Sequence, residues 1–211
     1  MGLDRKDVYI KSDFYAEESE NLTEENLRFA QELLSSDRKR ALAMLNVIFR
    51  TGRLPGPNLD GFYAGEFLAL DIAPGLTQLF ELLGEIWMPW KGKTFNAAQE
   101  AGDNVITRNS RFLFRLFLPF YNYYVKSGPK TYRAFPFRTY SGAGRVDPDR
   151  QVLKLDYNLK INPRQNVRRV LDELVQIEDG LYLGKAHLKW WWGWRQVAFF
   201  ILRKGSSVVP G

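Results

Sequence analysis

The last two strands that the sequence predicts constrain the fold most. Residues 181–189 and 196–203 flank Trp190, Trp191, Trp192, Gly193 and Trp194, a hairpin by length and composition. Within 196–203, Val197, Phe199 and Ile201 fall on one face and Ala198, Phe200 and Leu202 on the other. A strand apolar on both faces has to be covered on both. The hairpin therefore belongs to a sheet with a core on one side and packed helices on the other.

The upstream pattern supplies both layers. After an acidic lead-in over residues 1–20, Thr23 predicts an N-cap, with Glu24 and Glu25 in the first turn, where the helix dipole favours anions. Leu27, Ala30, Leu33 and Leu34 keep helical spacing to about Ser35. Asp37 caps a second helix whose buried stripe is Ala41, Met44, Leu45 and Ile48, and Gly52 stops it. A Gly/Pro loop to Asp60 leads into strand patterns at 61–71, from 93, at 104–107, 130–141, 151–157 and 173–178. Pro74 opens a further helix with Leu76, Leu79, Phe80, Leu83 and Ile86 on its apolar face, and a short helical turn is expected near 167–170. Residues 111–124 fit either a strand broken at Pro119 or a short aromatic helix. Many short antiparallel strands with few helices predict a mainly β (α+β) fold, a strongly curved sheet or barrel capped by helices. The expected units are 1–53, lead-in and helical hairpin; 54–205, the barrel domain; and 206–211, a tail.

Composition removes several classes of function. Cysteine is absent, which excludes a disulfide framework, a thiolate metal site and a cysteine nucleophile. His187 is the one histidine, so metal sites built on several histidines are excluded; a Ser-His-Asp site would have to use it, and no Gly-X-Ser-X-Gly elbow occurs. No cofactor is expected. No apolar run approaches the roughly 20 residues that span a bilayer, and Met1 to Tyr15 is too charged for a signal peptide. A cytoplasmic protein is expected, with contact to an anionic membrane surface kept open. Net charge is +6, which favours anionic partners. The chain shows no motif of the standard nucleic-acid modules, so nucleic acid is not an expected partner. The oligomeric state does not follow.

Three places resemble a known pattern. Gly61, Tyr63 and Gly65 resemble the Gly-X-Trp-X-Gly motif of a family of mostly uncharacterised, lipocalin-like proteins, with Tyr63 in place of the tryptophan. Trp90, Gly92, Lys93 and Phe95 resemble that family's second motif, Trp-X-Gly-Lys-X-Phe, and the segment from Tyr157 through Pro163 to Leu183 and Gly184 resembles its companion C-terminal domain of unknown function. The resemblance spans roughly residues 55–204, and the aromatic stretch 111–124 has no counterpart in it. It implies a lipocalin-like antiparallel β-barrel that holds a hydrophobic small molecule, distantly similar to plastid fibrillins and haem-binding nitrobindins. It implies no reaction.

Candidate site residues follow from where charge meets apolar surface. The stretch from Asn104 to Arg145 has no Asp or Glu and sets arginines among aromatic rings. That composition suits a hydrophobic, anionic ligand such as a lipid, fatty acid, isoprenoid or pigment. Arg115, Arg133 and Arg138 are the expected readers of its head group. Tyr63, Phe135, Phe137, Tyr157 and Phe199 are expected along its tail, with Phe62, Leu68, Leu153, Leu155 and Ile201. On strict alternation Arg133 shares the face of Phe135 and Phe137. The plainer reading has the apolar residues packing on one another and the arginines in solvent with their stems on the rings. Glu66 and Glu173 lie on otherwise apolar strand faces. Buried, either would have a raised pKa suited to acid–base catalysis with Tyr63 or Tyr157, so an enzyme is the alternative to a carrier. His187 is expected to be a hydrogen-bonded barrel histidine, with an axial haem ligand as the rarer role. The tryptophan run, flanked by Lys185, Lys189 and Arg195, has the composition of a membrane-interface tip or of a hairpin end folded under the helices.

Overall fold

In the computed structural model the described residues are 24–70, 90–109, 120–164 and 167–205. The acidic lead-in, the helix expected from Pro74, Arg115 with most of the aromatic stretch, and the tail lie outside them. Among the described residues two α-helices precede the sheet, α1 (24–33) and α2 (Arg38–Thr51). There are also nine strands: β1 Gly61–Leu70, β2 Trp90–Asn96, β3 Ala101–Thr107, β4 Val125–Lys126, β5 Thr131–Ala143, β6 Gln151–Asp156, β7 Val170–Glu178, β8 Leu181–Trp190 and β9 Gly193–Lys204.

The sheet runs β3-β2-β1-β9-β8-β7-β6-β5-β4, and β3 also pairs with β5. That last pairing closes eight antiparallel strands into a ring, with the two-residue β4 added beside β5. Closure requires bending, and register shifts place an extra residue in β1, β2, β5, β7 and β9. Such bulges kink a strand and increase its twist. The fold is mainly β, a lipocalin-like barrel with an N-terminal helical pair.

Two apolar layers result. Inside the ring, Tyr63, Phe95, Phe137, Leu155, Leu174, Tyr182, Phe200 and Leu202 belong to one buried cluster. Outside it, Leu27 and Ala30 of α1 and Leu45, Ile48 and Phe49 of α2 pack on Val152, Val175, Leu181, Leu183, Phe199 and Ile201. The two-faced strand thus divides as its pattern requires: Phe200 and Leu202 face inward, Phe199 and Ile201 outward beneath the helices. Each fully buried Leu or Phe of this kind contributes about 1.5–3 kcal/mol. Asp37 accepts from the Arg40 amide at 3.1 Å, and the Gly52 amide closes the end of α2 on the Ile48 and Phe49 carbonyls. A bridge between Arg53 and Gln176 then ties that end to β7.

Local expectations shift at β7 and at the β8–β9 hairpin. β7 begins at Val170, after a short 3-10 turn at Val167–Arg169, so Asp172 lies within the strand. The β8–β9 hairpin closes more tightly than its tryptophan run suggests, with Trp190 opposite Gly193. Its tip is open, Trp191 being 79% and Trp192 57% exposed.

Candidate functional site

Of the residues that carry the family resemblance, Tyr63, Trp90, Lys93, Phe95 and Tyr157 meet inside the barrel. Gly92 has φ of 136°, and a Cβ there would collide with the Tyr63 carbonyl oxygen; a Cβ on Gly65 would sit 2.5 Å from the Trp90 ring. Only glycine permits both approaches. They allow the Trp90 indole to lie over β1, where its Nε1 donates to Asn104 Oδ1 at 3.1 Å. Its ring meets Phe200 edge-on at 5.7 Å.

Lys93 follows on β2, directly opposite Tyr63, and is 3% exposed. Its Nζ donates to Asp172 Oδ2 at 2.9 Å, to Asn104 Oδ1 at 3.0 Å and to the Tyr157 hydroxyl. All three ammonium donors are thereby used. The rings of Phe200, Tyr157, Trp90 and Phe137 surround the nitrogen, with centroids 5.1 to 5.4 Å away. The Tyr157 hydroxyl donates to Asp172 Oδ2 at 3.1 Å and accepts from Asn104 Nδ2 at 3.1 Å. Burial lowers the Lys93 pKa against the opposing pull of Asp172. Burial, reinforced by the Asp172 charge, raises that of Tyr157 well above 10. Tyr157 therefore keeps its proton at neutral pH. An amine made easier to deprotonate touches a phenol and a carboxylate, a set able to orient a polar group or move a proton.

A second ionic cluster lies behind the same strands, on the helix side. Glu173, next in sequence to Asp172, accepts from Lys154 Nζ at 2.9 Å and the Arg145 amide at 2.8 Å. Its other oxygen is 3.8 Å from His187 Nε2. Lys185 Nζ donates to Asp147 at 2.7 Å and sits 4.2 Å from the centre of the Phe49 ring. Arg50 of α2 holds both Asp147 and Asp149. Burial lowers the His187 pKa against the opposing Glu173 charge.

The expected site residues are distributed over these regions. Tyr63, Phe137 and Tyr157 join the inner cluster. Phe135 joins it too, stacked on Tyr121 at 4.6 Å. Phe199 lies on the outer face, against the helices. Arg138 is 59% exposed at its side chain and pairs with Asp156, while Arg133 is 41% exposed and 3.7 Å from Asp103. Strict alternation fails for Arg133 because Phe135 takes φ of 52° and β3 shifts register between Gly102 and Asn104. Those irregularities place Arg133 with Asp103 and not with Phe137. Glu66 is exposed and accepts from Gln31 at 2.8 Å; Glu173 is on the outer face. The carboxylate that meets Tyr157 is Asp172, one residue before the strand pattern at 173–178. Lys93 was visible only as a motif letter. Among the described residues no group of three or more His, Cys, Asp or Glu could hold a metal ion.

No family model and no curated protein matches the chain. Among solved structures, a protein from Thermomonospora curvata is similar at 15% identity and a TM-score of 0.50, over 86% of this chain and 99% of that one. At that identity the likeness shows the fold alone. Together with the closed eight-strand ring it fits a calycin-like barrel, a fold compatible with small-molecule binding.

Proposed function

We propose that the barrel binds a hydrophobic small molecule with an acidic or other oxygen-bearing head, of the lipid, fatty acid, isoprenoid or pigment class. The observation that carries this reading is Lys93, a charged group kept inside a closed barrel within four aromatic rings. An apolar residue there would be no less stable, since burying an ion pair costs about what the pair returns. An incoming head group would take the place of one of the three present partners of Lys93, with Phe95, Phe137 and Leu155 along its tail. A crevice of about 320 Å³ at the other end of the barrel, lined by Leu54, Pro55, Leu59, Phe95 and Leu153, reaches members of the same inner cluster and provides an approach. Native mass spectrometry followed by solvent extraction tests the idea. An apolar compound bound to the wild type, displaced by added fatty acid, is the expected result. Failure to retain any of a panel of fatty acids, isoprenoids and pigments overturns it.

A second reading, an enzyme acting on such a molecule, is favoured by the contact of Tyr157 with Asp172 and Lys93. In that case Tyr157→Phe retains the ligand and abolishes its conversion. If the variant converts the ligand as fast as the wild type, this reading fails. The exposed Trp191 and Trp192 suit contact with a membrane surface. No helix among the described residues is long and apolar enough to cross one.

A further inference from the structure

A different chemistry gathers on the outer wall, near the tip of the β8–β9 hairpin. Arg145, Arg164, Arg168, Arg169 and Lys189 line one cleft of about 350 Å³. Its single carboxylate, Asp156, is already engaged by Arg138 through two hydrogen bonds. None of the five cations forms an ion pair with a carboxylate among the described residues. Like charges so grouped repel one another, and a cleft of one sign concentrates counter-ions.

The cleft is also organised. Arg168 Nε donates to Asn158 Oδ1 at 3.1 Å, and Arg169 Nε donates to the Lys189 carbonyl at 2.6 Å. Both guanidinium groups are thereby anchored through one nitrogen, and neither donates to another described residue. The Arg145 guanidinium lies 5.1 Å from the centre of the Trp194 ring, and Lys189 Nζ lies 6.0 Å from it. Planar forks of this kind match the oxygens of a phosphate in pairs. A single phosphate ester carries about −1.5 to −2 charges at pH 7, less than half of what five cations supply. A diphosphate meets that charge better, and the volume is at the small end of ligand pockets, where about 300 Å³ is the lower bound.

We infer that this cleft binds a diphosphate group, with the Trp194 and Tyr140 rings beside whatever carries it. The group can belong to a soluble compound or to a lipid head group. Because the cleft is outside the barrel, its failure would leave the reading of the barrel interior intact.

Calorimetric titration of the full chain with inorganic pyrophosphate and with orthophosphate tests the inference. Pyrophosphate is expected to bind at one site and about tenfold or more tightly than orthophosphate, by the scale of an added charge-assisted pair. Arg168→Gln is expected to weaken it about tenfold on the same scale, and Arg164→Ala, a solvent-facing change that leaves the fold intact, by a smaller factor. Lys39→Ala, on the exposed side of α2, leaves binding unchanged. Flotation with phosphatidylcholine vesicles carrying a lipid diphosphate separates the sources. Binding that pyrophosphate competes away assigns the lipid head group, and pyrophosphate binding without flotation assigns a soluble ligand. Absence of both, equal binding of sulfate, or affinity indifferent to Arg168→Gln and Arg164→Ala overturns the inference.

Discussion

Asp172 and Glu173 are neighbours on β7 and end in opposite environments. Asp172 points into the barrel, where it, Tyr157 and Asn104 together take every donor of the Lys93 ammonium and aromatic rings close the surroundings. Glu173 points toward the helix side, where its second oxygen and both His187 nitrogens lack a well-formed hydrogen bond. That outer cluster continues through Asp147 to Arg50 and Asp149, which reach the surface. The inner cluster is sealed and saturated; the outer one is partly satisfied and opens to solvent at one end. The difference separates two uses of buried charge. The outer cluster ties α2 and the turn around Asp147 to the barrel wall, whereas the inner one joins groups within the barrel.

The largest expected effect comes from breaking the inner pair. Lys93→Met leaves Asp172 as an uncompensated buried charge and is expected to cost about 3–5 kcal/mol in urea unfolding, with most of it restored in Lys93→Met/Asp172→Leu. A loss below about 1 kcal/mol, the value for exposed pairs, would show that the two clusters are not distinct in kind. Lys185→Met comes next. Arg50 still serves Asp147, so a cost of about 1–3 kcal/mol is expected, the scale of one buried charge-assisted bond.

A pH titration sharpens the contrast further. Burial lowers the His187 pKa below its ordinary 6.5, so the unfolded chain takes up the proton first. Its contribution is fully present above 6.5 and declines as pH falls from there toward the folded value, by at most about 1.4 kcal/mol per pH unit. His187→Gln is expected to flatten the stability profile in that window. A separate acid loss belongs to Asp147. Burial would raise its pKa, but hydrogen bonds from Lys185 and Arg50 outweigh this and hold it below 3.8. Its stabilisation is therefore present above 3.8 and lost as pH falls through the folded value. The smallest effect is expected from Arg138→Ala. Its pair with Asp156 is mostly exposed, so thermal unfolding should register no more than about 1 kcal/mol.

Local signals in the sequence were sufficient for α1 and α2 and for the two-faced final strand. Asp37 caps α2 through its side chain, Gly52 ends it where an added Cβ would meet Val175, and Phe199 and Phe200 separate between two cores by simple alternation. The candidate site was less legible because it depends on register between distant strands. Nothing near Lys93 in sequence announces Asp172 or Tyr157, since each arrives from another part of the ring. Arg133 was misplaced for a different reason: one residue at positive φ reverses the phase of everything before it, and Phe135 gives no residue-type warning of that conformation. His187 does share a face with Leu181 and Leu183, as read, but which face is inside depends on the closure of the whole barrel.

That closure carries a consequence for how the protein is made. Seven of the eight seams join strands on nearby stretches of chain, but the one between β1 and β9 pairs Tyr63 with Lys204. A nascent chain leaving the ribosome has β1 long before β9, and contacts so distant in sequence form slowly. Until the final hairpin emerges, β1 keeps an unpaired edge of the kind that recruits other chains into aggregates. Of the barrel's strands, the one that emerges last is therefore the one that shields β1 from other chains.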